Sequence, residues 1–150
     1  MSALHISTPH PDHWRQLRSL RLEALTTDPQ AFGATLAEEA RLPEARWRAR
    51  IDDARASGRA WLLVAERGGR MVGMIGALIK DDPETAQAIA FYVTPDARGS
   101  GVGAALLEQL IARVALAPAV SRIELRVRDG QNAAVALYRR AGFVVVGDGK

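Results

Sequence analysis

Between Val93 and Gly103 the sequence reads Val-Thr-Pro-Asp-Ala-Arg-Gly-Ser-Gly-Val-Gly and runs straight into an apolar repeat, Val102, Leu106, Leu110 and Val114, with Leu107 and Ile111 in the adjacent row. That four-residue spacing predicts a long amphipathic helix. Ala88 to Val93 predicts a strand, and Pro95 stops it because proline has no N–H to donate. A strand, a glycine-rich turn and a helix must therefore follow one another. Alternating glycines before an otherwise good helix are costly unless their conformational freedom is used. A helix start leaves backbone N–H groups unpaired at an electropositive end, so a diphosphate can sit there without a lysine. Glycine lets phosphate oxygens approach the backbone and allows positive φ where amides converge, and Arg98 adds a charge suited to paired hydrogen bonds.

Other glycine-rich motifs fit less well. A nucleotide P-loop needs Gly, four residues, then Gly-Lys-Ser/Thr, and no lysine follows these glycines. A dinucleotide fingerprint needs G-x-G-x-x-G in the first unit of a parallel sheet, whereas here the spacing is G-x-G-x-G and lies late in the chain.

The remaining segments read as one continuous unit of 150 residues, the size of a single domain. Leu4 and Ile6 alternate as a short strand. Asp12 is placed to cap a helix whose inner face is Trp14, Leu17, Leu20, Ala24 and Leu25. Residues 28–33 read as loop, and Pro43 opens a second helix with Trp47, Ile51 and Ala54 inward, ended by Gly58. Ala60–Ala65 and Met71–Ile79 flank Arg-Gly-Gly-Arg as a hairpin. Ile123, Leu125 and Val127 alternate as a strand, a short helix carries Ala134, Leu137, Tyr138 and Ala141, Gly142 caps it, and Phe143 to Val146 starts a last strand. The predicted order is β-α-α-β-β-β-α-β-α-β.

Composition excludes several classes. There are no cysteines, so disulfide frameworks, thiolate nucleophiles and Cys-based metal sites are absent. The net charge is +3, carried almost entirely by scattered Arg without aromatic interleaving, which does not suit a nucleic-acid binder. No apolar run approaches membrane-spanning length and Met1 to His5 carries no leader pattern, so a cytoplasmic location is the expectation, with no metal site.

With Arg98, Gly101 and Gly103 meeting Arg/Gln-x-x-Gly-x-Gly/Ala, Val93 and Pro95 meeting the preceding Val-x-Pro, and Leu137-Tyr138-Arg139-Arg140-Ala141-Gly142-Phe143 matching a second signature, the chain resembles the GNAT superfamily of acyl-CoA-dependent N-acyltransferases. The element order resembles that family from the first strand to Val146. The resemblance implies an α+β fold of three layers, α/β/α, on a mixed, mostly antiparallel sheet whose parallel fourth and fifth strands splay apart. It implies acetyl-CoA as cofactor and a primary amine as acceptor, the amine attacking the thioester directly without an acyl-enzyme. A seventh strand of the family pattern has no counterpart before Lys150, so either the chain is truncated or a homodimer partner completes that edge.

By the same resemblance, Phe91, Tyr92 and Val93 form the edge that pairs with pantetheine, and backbone amides of Gly99, Ser100, Gly101, Val102, Gly103 and Ala104 wrap the pyrophosphate beside Arg98. Gln131, or Asn132 displaced by one, stands where the family has a CoA-contacting amide. Tyr138 matches the tyrosine that protonates the departing sulfur, which a phenol of pKa about 10 can do for a thiolate whose acid has pKa about 8.5. The family's acid on the fourth or late fifth strand is missing, since Arg126 stands at the late position, and Glu124 is the candidate base, with a water chain as the alternative. The acceptor pocket is expected at the first two helices and their loop, around Phe32, Gly33 and Trp47, with Glu38 and Glu39 nearby. A non-catalytic acyl-CoA-binding or regulatory module is the competing reading.

Overall fold

The computed structural model describes residues 3–27, 35–126 and 132–144. Its centre is a five-stranded sheet in the order β1-β2-β3-β4-β5, made of Leu4–Ser7, Ala60–Arg67, Arg70–Ile79, Thr85–Val93 and Arg122–Glu124. The first four strands are antiparallel to their neighbours and β5 joins β4 in parallel. Helices α1 (Trp14–Thr27), α2 (Leu36–Ala40), α3 (Glu44–Ala56), α4 (Val102–Val114) and α5 (Asn132–Arg140) complete the fold.

Alternation in β2 explains the layering. Leu62 and Val64 meet Leu17, Leu20, Ala24 and Ile51 from α1 and α3, while Leu63 and Ala65 meet Val102, Leu106, Leu107 and Leu110 from α4. The sheet is thus covered on both faces. Central strand β3 reads accordingly as a continuous buried run from Met71 to Ala77. Gly73 is what lets α4 approach so closely: a Cβ there would stand 2.9 Å from Leu106 Cδ1 and 3.1 Å from Val102 Cγ1. This is the expected α/β/α arrangement with a mixed, mostly antiparallel sheet.

Local details depart from the sequence reading. The free amide of Asp12 is taken by His10 Nδ1 at 3.1 Å, whereas the Asp12 carboxylate pairs with Arg48 at 3.2 Å, so His10 and not Asp12 caps the 3-10 turn Pro11–His13 that precedes α1. Helix α2 was not expected; Thr35 and Glu38 cap it reciprocally, which satisfies otherwise orphaned N–H groups. Strand β4 begins at Thr85, earlier than Ala88, and β5 ends at Glu124, before Leu125. Phe143 and Val144 are not in a strand, because the chain is still leaving α5 through the Gly142 cap, with φ 103° and Phe143 N–H bonded to Tyr138 O at 3.0 Å. The remainder of that expected strand lies outside the described residues. No helix among the described residues is long and apolar enough to cross a membrane.

Candidate functional site

Strand β4 carries an extra residue. Met74 of β3 faces Tyr92 and Gly76 faces Ile89, so two steps on β3 are matched by three on β4, and Ala90 and Phe91 have no register partner. Ala90 sits at the bulge with φ 57°, the single non-glycine positive φ among the described residues, a conformation that costs an L-residue about 1–2 kcal/mol. The bulge inverts the alternation. Before it, Ala86 and Ala88 point to the α4 side; after it Phe91 and Val93 do, and Tyr92 points to α1.

The same strand outruns β5. Pairing covers Thr85 with Arg122, Ala86 with Ile123 and Gln87 with Glu124, and then stops, while β4 runs on to Val93. From Ala88 onward the β5-facing edge of β4 has no strand beside it among the described residues. Below this opening, Phe91, Val93 and Leu137 converge on Gly103, where an added Cβ would lie 3.4 Å from Phe91 Cζ and 3.5 Å from Leu137 Cδ2. Tyr138 closes the group, its ring 6.0 Å from Phe91 and 6.2 Å from Phe143. Its hydroxyl has no hydrogen-bond partner among the described residues, and burial pushes the phenol above its usual range.

The glycine-rich loop lies at the far end of β4. Gly99 and Gly101 take φ of 79° and 87°, and neither has any atom within 4 Å of an added Cβ, so conformation rather than space selects glycine there. No side chain caps α4, and its first backbone bond at this end runs from Ala105 N–H to Gly101 O at 3.0 Å, leaving the Val102, Gly103 and Ala104 amides ahead of the helical ladder. Arg98, Gly99, Ser100, Gly101 and Ala104 are exposed and Val102 is buried beneath them.

Side chains brace this loop. Arg98 Nε donates to Val93 O at 3.0 Å and its guanidinium stands 5.7 Å from the Tyr92 ring centroid. Ser100 Oγ donates to Ala97 O and accepts from Arg67 at 3.3 Å. Arg70 bonds Asp96 at 2.8 Å, and that bond holds the Asp96 carboxyl below its usual range. The result is an open helix start with positive charge beside it and no competing side-chain acceptor, an arrangement suited to a diphosphate.

Other residues singled out in the sequence fall in different places. Glu124 is exposed as the last paired residue of β5, and because Ile123 and Leu125 pack toward the α4 core, it projects to the opposite face. Trp47 is fully buried with Arg50 stacked 4.7 Å from its ring centroid, so it is not presented at a surface. Glu38 is used in the α2 cap, and buried Glu39 is clamped by Arg50 through two bonds of 2.8 Å and by Arg21 at 3.1 Å. Asn132 opens α5. Phe32, Gly33 and Gln131 lie outside the described residues. Among the described residues no group of His, Asp and Glu could hold a metal ion.

One contact was missed in the sequence. Tyr92 OH donates to Glu23 Oε2 on α1 at 2.7 Å and lies 3.4 Å from Thr27 Oγ1. Burial, followed by the Glu23 bond, holds the Tyr92 phenol above its usual range, so it stays a donor. The signal was present: Glu23 and Thr27 stand at helical spacing beside the buried stripe of Leu20 and Ala24, a polar rim on an apolar face.

Comparison with known proteins agrees with this geometry. Residues 12–143 match the family model described as Acetyltransferase (GNAT) family. The chain is 31% identical over 122 residues to mycothiol acetyltransferase from Salinispora tropica, covering 79% of this chain and 39% of that protein. It thus spans well under half the length of that curated relative. The solved structure of a GNAT-family acetyltransferase from Streptococcus pneumoniae superposes with a TM-score of 0.84 at 22% identity, covering 97% of this chain and 86% of the other. The PaiA N-acetyltransferase from Thermoplasma acidophilum, solved in complex with coenzyme A, gives a TM-score of 0.78 at 16% identity, over 98% and 94% of the two chains. Both likenesses are likenesses of fold.

Proposed function

Because the chain belongs to the GNAT acetyltransferase family, we propose that it transfers an acetyl group from acetyl-CoA to a primary amine in a single ternary complex. The observation that carries the reading is the conjunction, along one strand, of the Ala90 bulge, the end of β4–β5 pairing at Gln87 and the uncapped start of α4. Together they would make a slot with an anion-binding end.

The residues fit the cofactor. Amides of Gly99 to Ala104 with Arg98 would hold the pyrophosphate, and the free edge at Phe91, Tyr92 and Val93 would pair with the pantetheine amides. Acetyl-CoA supplies an activated thioester whose carbonyl carbon accepts the amine. The chain's own part is to orient, polarise and manage protons. Ala90 and Phe91 have no register partner in β3, and their backbone N–H groups would polarise the carbonyl. As the new C–N bond forms and the C–S bond breaks, the sulfur needs a proton, and Tyr138 holds one whose release burial opposes at neutral pH. The amine must shed a proton in turn; Glu124, on the face away from α4, is the acid proposed to receive it through water. With no cysteine in the chain, no thiol acyl-enzyme intervenes.

Calorimetry with CoA and a thiol-release assay over a panel of primary amines test this. Saturable CoA binding with amine-dependent thiol release is expected. Binding without such release would turn the reading into an acyl-CoA-binding module, and absence of CoA binding would end it.

A further inference from the structure

Beside the proposed acetyl-transfer slot, on the opposite face of β4, Glu23 is a carboxylate that forms no ion pair among the described residues. Its Oε2 accepts from Tyr92 OH at 2.7 Å, and no described Arg, Lys or His lies within ion-pair distance of it. Arg70, which feels the charge of Glu23, is bonded to Asp96 at 2.8 Å, and Arg98, beside the Tyr92 ring, is bonded through Nε to Val93 O at 3.0 Å. The side chain is half-buried near the end of α1, against a residue that follows the bulge by two positions. Among the described residues it is also the sole carboxylate bonded to the Phe91–Val93 segment. A partly desolvated carboxylate is stabilised far more by a cation than by one neutral hydroxyl. Tyr92 donates its hydroxyl proton to Oε2 and so fixes the carboxylate's orientation, leaving Oε1 without a described partner.

We propose that Glu23, oriented by Tyr92, receives a second cationic group of the acceptor, so that the preferred substrates are amines carrying another positive charge a few bonds from the reacting nitrogen. This rests on the transferase reading. Acetyl-CoA approaches β4 from its β5 edge and α4 side, so an acceptor entering from the α1 side meets Glu23 before the bulge. A counter-charge at that point holds the substrate by a nitrogen that stays protonated, and leaves the reacting nitrogen free to lose its proton.

The test compares 1,3-diaminopropane with propylamine as acceptors for the wild-type chain, Glu23→Gln and Tyr92→Phe, following thiol release, with binding of each amine to the CoA complex measured by calorimetry. The wild type should favour the diamine by about tenfold or more in kcat/KM. Glu23→Gln should bring that ratio to near one through the KM of the diamine, with the KM of acetyl-CoA and the rate with propylamine within about twofold of wild type. Tyr92→Phe should keep part of the preference, since the charge remains and only its orientation is lost. Equal use or equal binding of the two amines by the wild type, no detectable use or binding of the diamine, or a preference that survives Glu23→Gln, overturns the proposal. So does a Glu23→Gln variant that loses CoA affinity together with acceptor affinity, since that marks a structural role. Failure of CoA to bind at all sinks the transferase reading instead, and calorimetry separates that result from the others.

Discussion

The ring of Tyr138 on α5 lies 6.0 Å from the ring of Phe91, the first β4 residue after the bulge at Ala90. Through that contact the C-terminal helix is anchored to the strand edge on which the thioester is proposed to lie. Tyr138→Phe keeps the ring stack and removes only the hydroxyl. We expect turnover to fall by about 10²-fold or more, the usual size of a general-acid contribution, with CoA affinity unchanged. Burial raises the phenol, and the protonated form is the working one. The wild-type rate should therefore hold to alkaline pH and decline only above the ordinary phenol pKa of about 10, whereas the variant should lack that limb. Steady-state kinetics across pH checks both points.

Gly101 adopts φ 87° at the start of α4. Alanine there meets no steric obstacle, so the cost is conformational, about 1–2 kcal/mol. Gly101→Ala should lower the melting temperature by a few degrees and weaken CoA binding by about tenfold as the amides behind it turn away. Thermal unfolding and calorimetry give the two numbers, and unchanged CoA affinity would remove this loop from the cofactor site.

Glu39 joins α2 to α1 and α3 through Arg21 and Arg50. The Arg50 hydrogen bonds, opposed by burial and helped by the charge of Arg50 and by Arg21, hold its carboxyl below the usual range. A depressed folded-state pKa means the stabilisation is full above the unfolded value of about 4.3 and is lost as pH falls through the lower folded value. Glu39→Gln should be less stable by about 1–3 kcal/mol at neutral pH, and its denaturant midpoint should converge with that of the wild type on acidification.

Gly73 carries a prediction about packing alone. A methyl there would sit 2.9 Å from Leu106 Cδ1 and 3.2 Å from Tyr92 O, between a helix and a strand that cannot both yield. Gly73→Ala should cost about 1–3 kcal/mol in chemical denaturation, as overpacking does. A neutral result would mean α4 rides more loosely on β3 than its buried side chains imply.

Much of this was legible in the sequence where the signal is local. Val93, Pro95 and the glycines at 99, 101 and 103 lie within a dozen residues, and their meaning depends on backbone conformation, so strand, turn and helix could be placed before any tertiary contact was known. The bulge was not legible from the residues themselves. Ala88-Ile89-Ala90-Phe91 contains no glycine, and the extra residue exists only as a mismatch with β3 across the sheet. Glu39 and Trp47 were assigned to the acceptor region because they lie near it in sequence; which carboxylate is clamped and which indole is covered depends on how α1, α2 and α3 meet. Glu23 escaped notice for the same reason, since its partner Tyr92 lies on a distant strand.

The single added residue in β4 makes that strand a partition wall. Upstream of Ala90 the even-numbered Ala86 and Ala88 face α4; downstream the odd-numbered Phe91 and Val93 do, and Tyr92 turns toward the helix bearing Glu23. Drawing Ala90 into regular alternation with no residue removed would exchange the downstream faces, sending a phenol into the α4 core and two apolar side chains toward Glu23. On the transferase reading proposed above, the donor and acceptor sides of this strand are set apart by one extra residue and not by a separate structural element.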